Sequence, residues 1–170
     1  MNIVITGSAE LAIALQKVFS DHNVTLVSRK SGHDINCIDQ WGAVFDNHDM
    51  VINCAYSDHG QLKVLEYFFN CWKNKLDKKI ITIGSRVISH RPVAAQYDYW
   101  PYRLHKQELQ LAHDAMLSEA VCDMKIINPG PINTAMVKHH NVPKFSTTDF
   151  AMRLKEIAAD RSLKRVDLWV

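Results

Sequence analysis

The sequence predicts a single-domain α/β fold in which helices cover both faces of a doubly wound parallel sheet. Three observations predict it. Short apolar runs alternate with segments of helical period along the whole chain. The runs are nearly continuous in apolar residues instead of alternating with polar ones, as a sheet covered on both faces requires. The 170 residues, 47% hydrophobic and 22% charged, match one globular domain large enough to bury a core.

"NIVIT" opens as a β-branched strand ending at Gly7, and "ELAIALQKVFSDH" follows with apolar residues at helical spacing. "NVTLVS" is the second strand, "CIDQWGAVFDNH" a short helix, "DMVINCAYS" a strand and "QLKVLEYFFNCWKNK" a helix. "KKIITIGS" is a strand, "PYRLHKQELQLAHDAMLSEA" a longer helix and "DMKIINPG" another strand. "TTDFAMRLKEIAAD" reads as a helix and "KRVDLWV" as a closing strand, with no repeat or linker between residues 1 and 170.

The net charge of +2, from 20 Lys and Arg against 18 Asp and Glu without a block of one sign, leaves no footprint for nucleic acid or an anionic membrane. Small molecules are the expected partners. Cys37, Cys54, Cys71 and Cys122 form no C-x-x-C pair, which is the usage of a reducing cytoplasm. No apolar stretch approaches the roughly 20 residues of a membrane span, and "MNIVITGSAE" reads as structure from its start rather than as a leader.

Doubly wound sheets bind ligands beyond the carboxyl ends of their strands, which directs attention to Gly7, Ser28 to Lys30, Asn53 to Tyr56, Ser85 and Pro129 to Thr134. Tyr102 and Lys106 lie four apart on one helix, so they share a face. A free phenol titrates near ~10, and a neighbouring ammonium favours the phenolate, so Lys106 would turn Tyr102 into a usable acid/base. Ser85 ends the strand "IITIGS" and can hydrogen-bond a substrate oxygen as charge develops there; Ser89 is its rival by distance along the chain. The prolines and glycine of "PGPINT" make a stiff turn that presents backbone groups and the Thr134 hydroxyl.

Taken together, "TGSAELA", "VSRKSG", "INCAYS", "ITIGS", "YRLHK" and "INPGPINT" resemble, in order and over nearly the whole chain, the successive signatures of the short-chain dehydrogenase/reductase family. The resemblance implies a Rossmann-like fold over 1–170, with Ser85, Tyr102 and Lys106 as the catalytic set and Lys106 also holding the nicotinamide ribose. It implies cofactor contacts at Gly7, Ser8, Leu11, Ser28, Arg29, Asn53, Ala55, Pro129, Gly130 and Thr134, and a short substrate loop near 135–147. Arg29 after the second strand suits a 2′-phosphate, where an acidic residue would suit ribose hydroxyls, so NADP(H) is expected over NAD(H). Asp34 resembles the family acid that faces adenine. Family members commonly dimerise through the helices matching "LKVLEYFFNCWKNK" and "PYRLHKQELQLAHDAM", which implies a homodimer or homotetramer.

The chain departs from that pattern in three places. After Gly7 the further glycines of the family are absent, and Glu10 stands near the expected pyrophosphate, so either it points away or affinity falls. "INCAYS" keeps Asn53 and Ala55 of the family's Asn-Asn-Ala-Gly but carries Cys54 and Tyr56. The helix-borne Asn that supports the family's lysine has no clear counterpart: its place falls near Asp58 or His59, and Asn70 is too far along. His139 and His140 sit together in a loop without a second cluster at ligand spacing, so no metal site is expected. The leading expectation is an NADP(H)-dependent oxidoreductase that interconverts a carbonyl and an alcohol on a small substrate; the alternatives are a non-catalytic dinucleotide-binding module and an interaction protein that keeps the fold.

Overall fold

The computed structural model of the chain describes residues 1–89, 100–137 and 141–170. His139 and His140, and part of the substrate loop expected near 135–147, lie outside the described residues.

Six strands, β1 (Asn2–Thr6), β2 (Asn23–Val27), β3 (Met50–Asn53), β4 (Lys79–Ile83), β5 (Asp123–Pro129) and β6 (Arg165–Leu168), form one parallel sheet in the order β2-β1-β3-β4-β5-β6. The chain winds outward from β1 to β2, then crosses back to β3 and continues the other way. The crevice between the carboxyl ends of β1 and β3 is therefore the topological switch point. Helices α1 (Glu10–Val18), α2 (Gly60–Trp72), α3 (Trp100–Leu117) and α4 (Thr147–Ala159) make the outer layers.

Alternate residues of each strand feed two separate cores. Ile3, Ile5, Ile81 and Ile127 pack with Leu15 and Phe19 of the α1 region and with Phe150 and Leu154 of α4. Val4, Val51, Ile80 and Met124 pack on the other face with Phe68 and Trp72 of α2 and Leu109 of α3. Each large apolar side chain buried in this way stabilises the fold by roughly 1.5–3 kcal/mol, which is why the strands read as unbroken apolar runs.

The segment expected as one short helix is two 3-10 segments, Ile35–Gln40, itself kinked at Cys37 (φ −119°, ψ 37°), and Gly42–Phe45, with Trp41 between them. The buried residues Ile35, Ile38 and Trp41 recur every third position, a spacing that suits three residues per turn. Asp34 starts the segment by accepting from Asn36 N at 2.9 Å, and Trp41 Nε1 donates back to Asp34 O at 2.8 Å. Gly42 is needed there, since a Cβ would stand 2.5 Å from the Tyr67 ring.

Lysines close the amino-terminal end of the sheet. Lys79 Nζ donates to Ala158 O at 2.9 Å, and the fully buried Lys125 donates to Asp123 Oδ1 (2.7 Å), Asp160 O (2.8 Å) and Leu163 O (3.1 Å). These ammonium groups satisfy carbonyls that the end of α4 leaves open and oppose the negative end of its dipole. All four cysteines are free, and among the described residues no helix is long and apolar enough to cross a membrane.

Candidate functional site

Three glycines carry the parallel ladder one step past their strands: Gly7 N donates to Val27 O at 2.7 Å, Gly84 N to Ile127 O at 2.8 Å and Gly130 N to Leu168 O at 3.0 Å. Gly7 has φ +113°, a region that disfavours any side chain. Gly84 is glycine because of crowding: a Cβ would lie 1.9 Å from Asn128 Oδ1. That oxygen accepts from Ser85 N at 3.2 Å, while Asn128 Nδ2 donates to Gln110 Oε1 and Asp167 Oδ1, both at 2.9 Å. One buried amide thus joins the ends of β4, β5 and β6 to α3. Thr6 does the same for the switch point, its hydroxyl accepting from Cys54 N (2.9 Å) and Ala55 N (3.0 Å).

On this frame the structure brings Ser85, Tyr102 and Lys106 together. The Ser85 side chain accepts from Val87 N at 3.3 Å and lies near enough to the Tyr102 phenol to favour its ionised form. Ser89 is exposed and its hydroxyl donates to Arg86 O at 3.2 Å, inside the turn that follows Ser85. One helical turn beyond Tyr102, Lys106 is 4% exposed, with Nζ 5.5 Å from the Tyr102 ring centre. Its ammonium donates to Gln61 Oε1 at 2.6 Å and to Ile83 O at 2.8 Å.

The electrostatics correct one expectation. Lys106 does not hold the Tyr102 phenol below its ordinary range; desolvation pushes the phenol up to about 12, the Ser85 side chain works the other way, and Tyr56 adds to the rise. Lys106 is itself pushed down to about 7, because burial disfavours the ammonium and Cys54 opposes this only weakly. Among the described residues no carboxylate lies within ion-pair distance of Lys106. Burial, invisible in a four-residue spacing, has outweighed the charge that the spacing brings near.

The expected cofactor contacts divide. Gly7, Ser8, Leu11 and Ala55 are partly exposed around the switch point, with Leu11 also packing on the α1–α4 core. Ser28 is half-buried and Arg29 exposed; the latter opens a 3-10 turn, Arg29–Ser31, in which Ser28 N donates to Ser31 Oγ at 3.0 Å. Pro129 closes β5 as a buried residue, followed by half-buried Gly130 and, two residues beyond Ile132, half-buried Thr134. Asn53 is corrected: it is fully buried behind the crevice, where its Nδ2 donates to Gln61 O at 2.7 Å and its backbone O accepts from Gln61 Nε2 at 2.9 Å, so the residue supports the crevice wall from behind. Glu10 points across the crevice mouth, accepting from Ala135 N at 3.2 Å.

Tyr56 stands with its ring edge on Tyr102, centres 4.8 Å apart, and its hydroxyl 3.0 Å from His105 Nδ1. His105 in turn meets the His59 ring at 4.3 Å, and His59 Nδ1 lies 3.1 Å from Glu108 Oε2. Neither Asp58 nor His59 takes the supporting place beside Lys106. Gln61 takes it, and sequence reasoning passed over Gln61, Thr6 and Asn128 alike. The available signal was position: each polar side chain sits at or next to a strand end or helix start, in otherwise apolar surroundings.

No family profile matches the sequence, and no curated protein matches it. Solved structures do match over nearly the whole chain. A short-chain dehydrogenase from Burkholderia cenocepacia J2315 in complex with NADP aligns with TM-score 0.75 at 16% identity, over 99% of this chain and 88% of that one. A serine dehydrogenase complexed with NADP+ gives 0.76 at 12% identity, over 99% and 94%. A short-chain dehydrogenase/reductase from Vibrio parahaemolyticus gives 0.76 at 14% identity, over 98% of each. With its six-stranded sheet and a hydroxyl–phenol–lysine set at the end of β4, the chain has the fold of the short-chain dehydrogenases/reductases.

Proposed function

We propose that the protein is an NADP(H)-dependent oxidoreductase that interconverts a carbonyl and an alcohol on a small substrate. The observation that carries this reading is the buried Lys106 ammonium, held on Ile83 O at 2.8 Å at the end of β4 and 5.5 Å from the Tyr102 ring centre, with Ser85 two residues beyond Ile83. The neighbours' NADP supports the cofactor class.

The crevice fits a nicotinamide dinucleotide by its own geometry. Gly7 allows the turn after β1 its positive φ of +113°, and Ala9 at the start of α1 makes no side-chain cap to its first N–H groups. Gly7, Ser8 and the start of α1 would hold the pyrophosphate, Arg29 with Ser28 a 2′-phosphate, Lys106 a ribose hydroxyl, and Thr134 the carboxamide. When bound, the nicotinamide supplies or accepts the hydride. The phenol, pushed up to about 12, is protonated at neutral pH and suited to give its proton to a carbonyl oxygen. Ser85 has one hydroxyl proton and would donate it to that same oxygen as charge develops there. Lys106, titrating at about 7, can return a proton to the site.

A non-catalytic dinucleotide-binding module is the second reading, favoured by the Glu10 carboxylate at the crevice mouth and by the Tyr56 ring against Tyr102. A homodimer belongs to the proposal as well, supported by Leu104 and Leu111 exposed seven apart on α3. The experiment is a fluorescence titration with NADPH, NADP+ and NADH, then a carbonyl panel with Tyr102→Phe as control. Saturable micromolar binding that favours the phosphorylated cofactor, with turnover lost in Tyr102→Phe, is the expected result. Binding without turnover selects the second reading, and no binding into the millimolar range defeats both.

A further inference from the structure

We infer that Gln61 is the positioning residue of Lys106, fixing the ammonium at the end of β4 with an uncharged acceptor and leaving one of its protons for a ligand. The inference rests on the reading above, in which Lys106 serves the site. Gln61 is 2% exposed at the start of α2. Its Nε2 donates to Asn53 O at 2.9 Å and to Ile83 O at 2.8 Å, so the side chain ties the ends of β3 and β4 together. Carbonyl oxygens only accept, so the NH₂ group must face them, and Oε1 is necessarily the atom turned to Lys106 at 2.6 Å.

The ammonium has three donors. Gln61 Oε1 and Ile83 O are its acceptors among the described residues, which leaves the third donor for a hydroxyl arriving in the crevice. Ile83 O accepts from both Gln61 and Lys106, so the two side chains share one anchor. The titratable groups facing Lys106 are Cys54 and Tyr56 from the β3–α2 connection and Tyr102 from α3. Cys54 is pushed up to about 12 by burial and stays a neutral thiol, as both phenols stay neutral. An amide in this setting supplies direction without countercharge. A carboxylate in its place would hold the lysine permanently charged.

The test follows Lys106 itself. The chain is labelled with ¹³C-lysine and the Cε signal of Lys106, assigned by its loss in Lys106→Met, is followed against pH in wild type, Gln61→Glu and Gln61→Met. Gln61→Glu should raise the midpoint by about one pH unit or more, and Gln61→Met, which keeps the volume and removes the acceptor, should lower it. Thermal melts report whether each variant folds; should Gln61→Glu not fold, Gln61→Met carries the test. Unchanged midpoints in the folded variants overturn the inference. NADPH titration of the same samples separates the two readings: midpoints that move without any NADPH binding uphold the role of Gln61 and defeat the proposed function, and static midpoints with intact binding do the reverse.

Discussion

Lys125 and Lys106 are both buried ammonium groups served by the same sheet, and they differ in what surrounds them. Lys125, at the amino-terminal side of β5, spends its donors on the Asp123 carboxylate and on two carbonyls beyond α4. Lys106, at the carboxyl end of β4, meets an amide and a carbonyl. Burial pushes both lysines down from their ordinary value, yet at Lys125 the Asp123 carboxylate opposes the shift, whereas at Lys106 only a neutral thiol stands in that place. A buried charge with a complete partner set belongs to the fold. One with neutral partners and a donor to spare belongs to a site.

The strongest way to break this comparison is Lys125→Met. It leaves Asp123 buried with Lys164, 3.2 Å away, as its remaining cation among the described residues, and should cost about 3–5 kcal/mol in urea unfolding. A loss below about 1 kcal/mol would make Lys125 an ornament. Next comes Tyr102→Phe, which should lower turnover at least ~100-fold while leaving NADPH affinity within about threefold. Equal losses in both would turn Tyr102 into a binding residue.

Lys106→Met sharpens the contrast through pH. Lys106 has its folded value at about 7 and an ordinary value of 10.5, so between these limits the unfolded chain holds a proton that the folded chain does not. Stability then rises with pH across that window, by at most about 1.4 kcal/mol per pH unit, and below it the cost of burying the charge is present in full. Urea midpoints at pH 7 and 9 should climb for wild type relative to Lys106→Met; parallel curves would place the lysine's titration elsewhere. The smallest effect is expected at Ser146→Ala. Ser146 Oγ accepts from Asp149 N at 3.0 Å at the start of α4, and its loss should cost about 1 kcal/mol with no change in cofactor binding.

The elements were legible in the sequence where one physical demand dominated. β1 and β3 are buried at all but one position and had to read as apolar runs, and Ser85 and Tyr102 could be paired because a strand end and a helix face bring only certain residues to the crevice. The segment 35–45 misled because its apolar residues recur in a way compatible with either kind of helix, and the three-residue spacing decides only once Tyr67 fills the space beside Gly42. Gln61, Thr6 and Asn128 were hidden for a different reason. Each acts by joining two or more strand ends whose neighbours are set by sheet order, and sheet order is not a local property of any stretch. The direction of the Tyr102 shift was hidden likewise, since spacing reports the nearby charge and not the loss of water.

The order of strands also leaves two open margins. On β6, Arg165 and Asp167 stand exposed and place charge along that border, a guard against another chain adding itself to the ladder. β2, "NVTLV", pairs with β1 alone among the described residues and carries no charged residue, with the 3-10 segments following it in the chain. An uncharged edge of this kind is where strand addition between copies is expected to start, so Thr25→Lys should reduce light scattering on heating at high concentration.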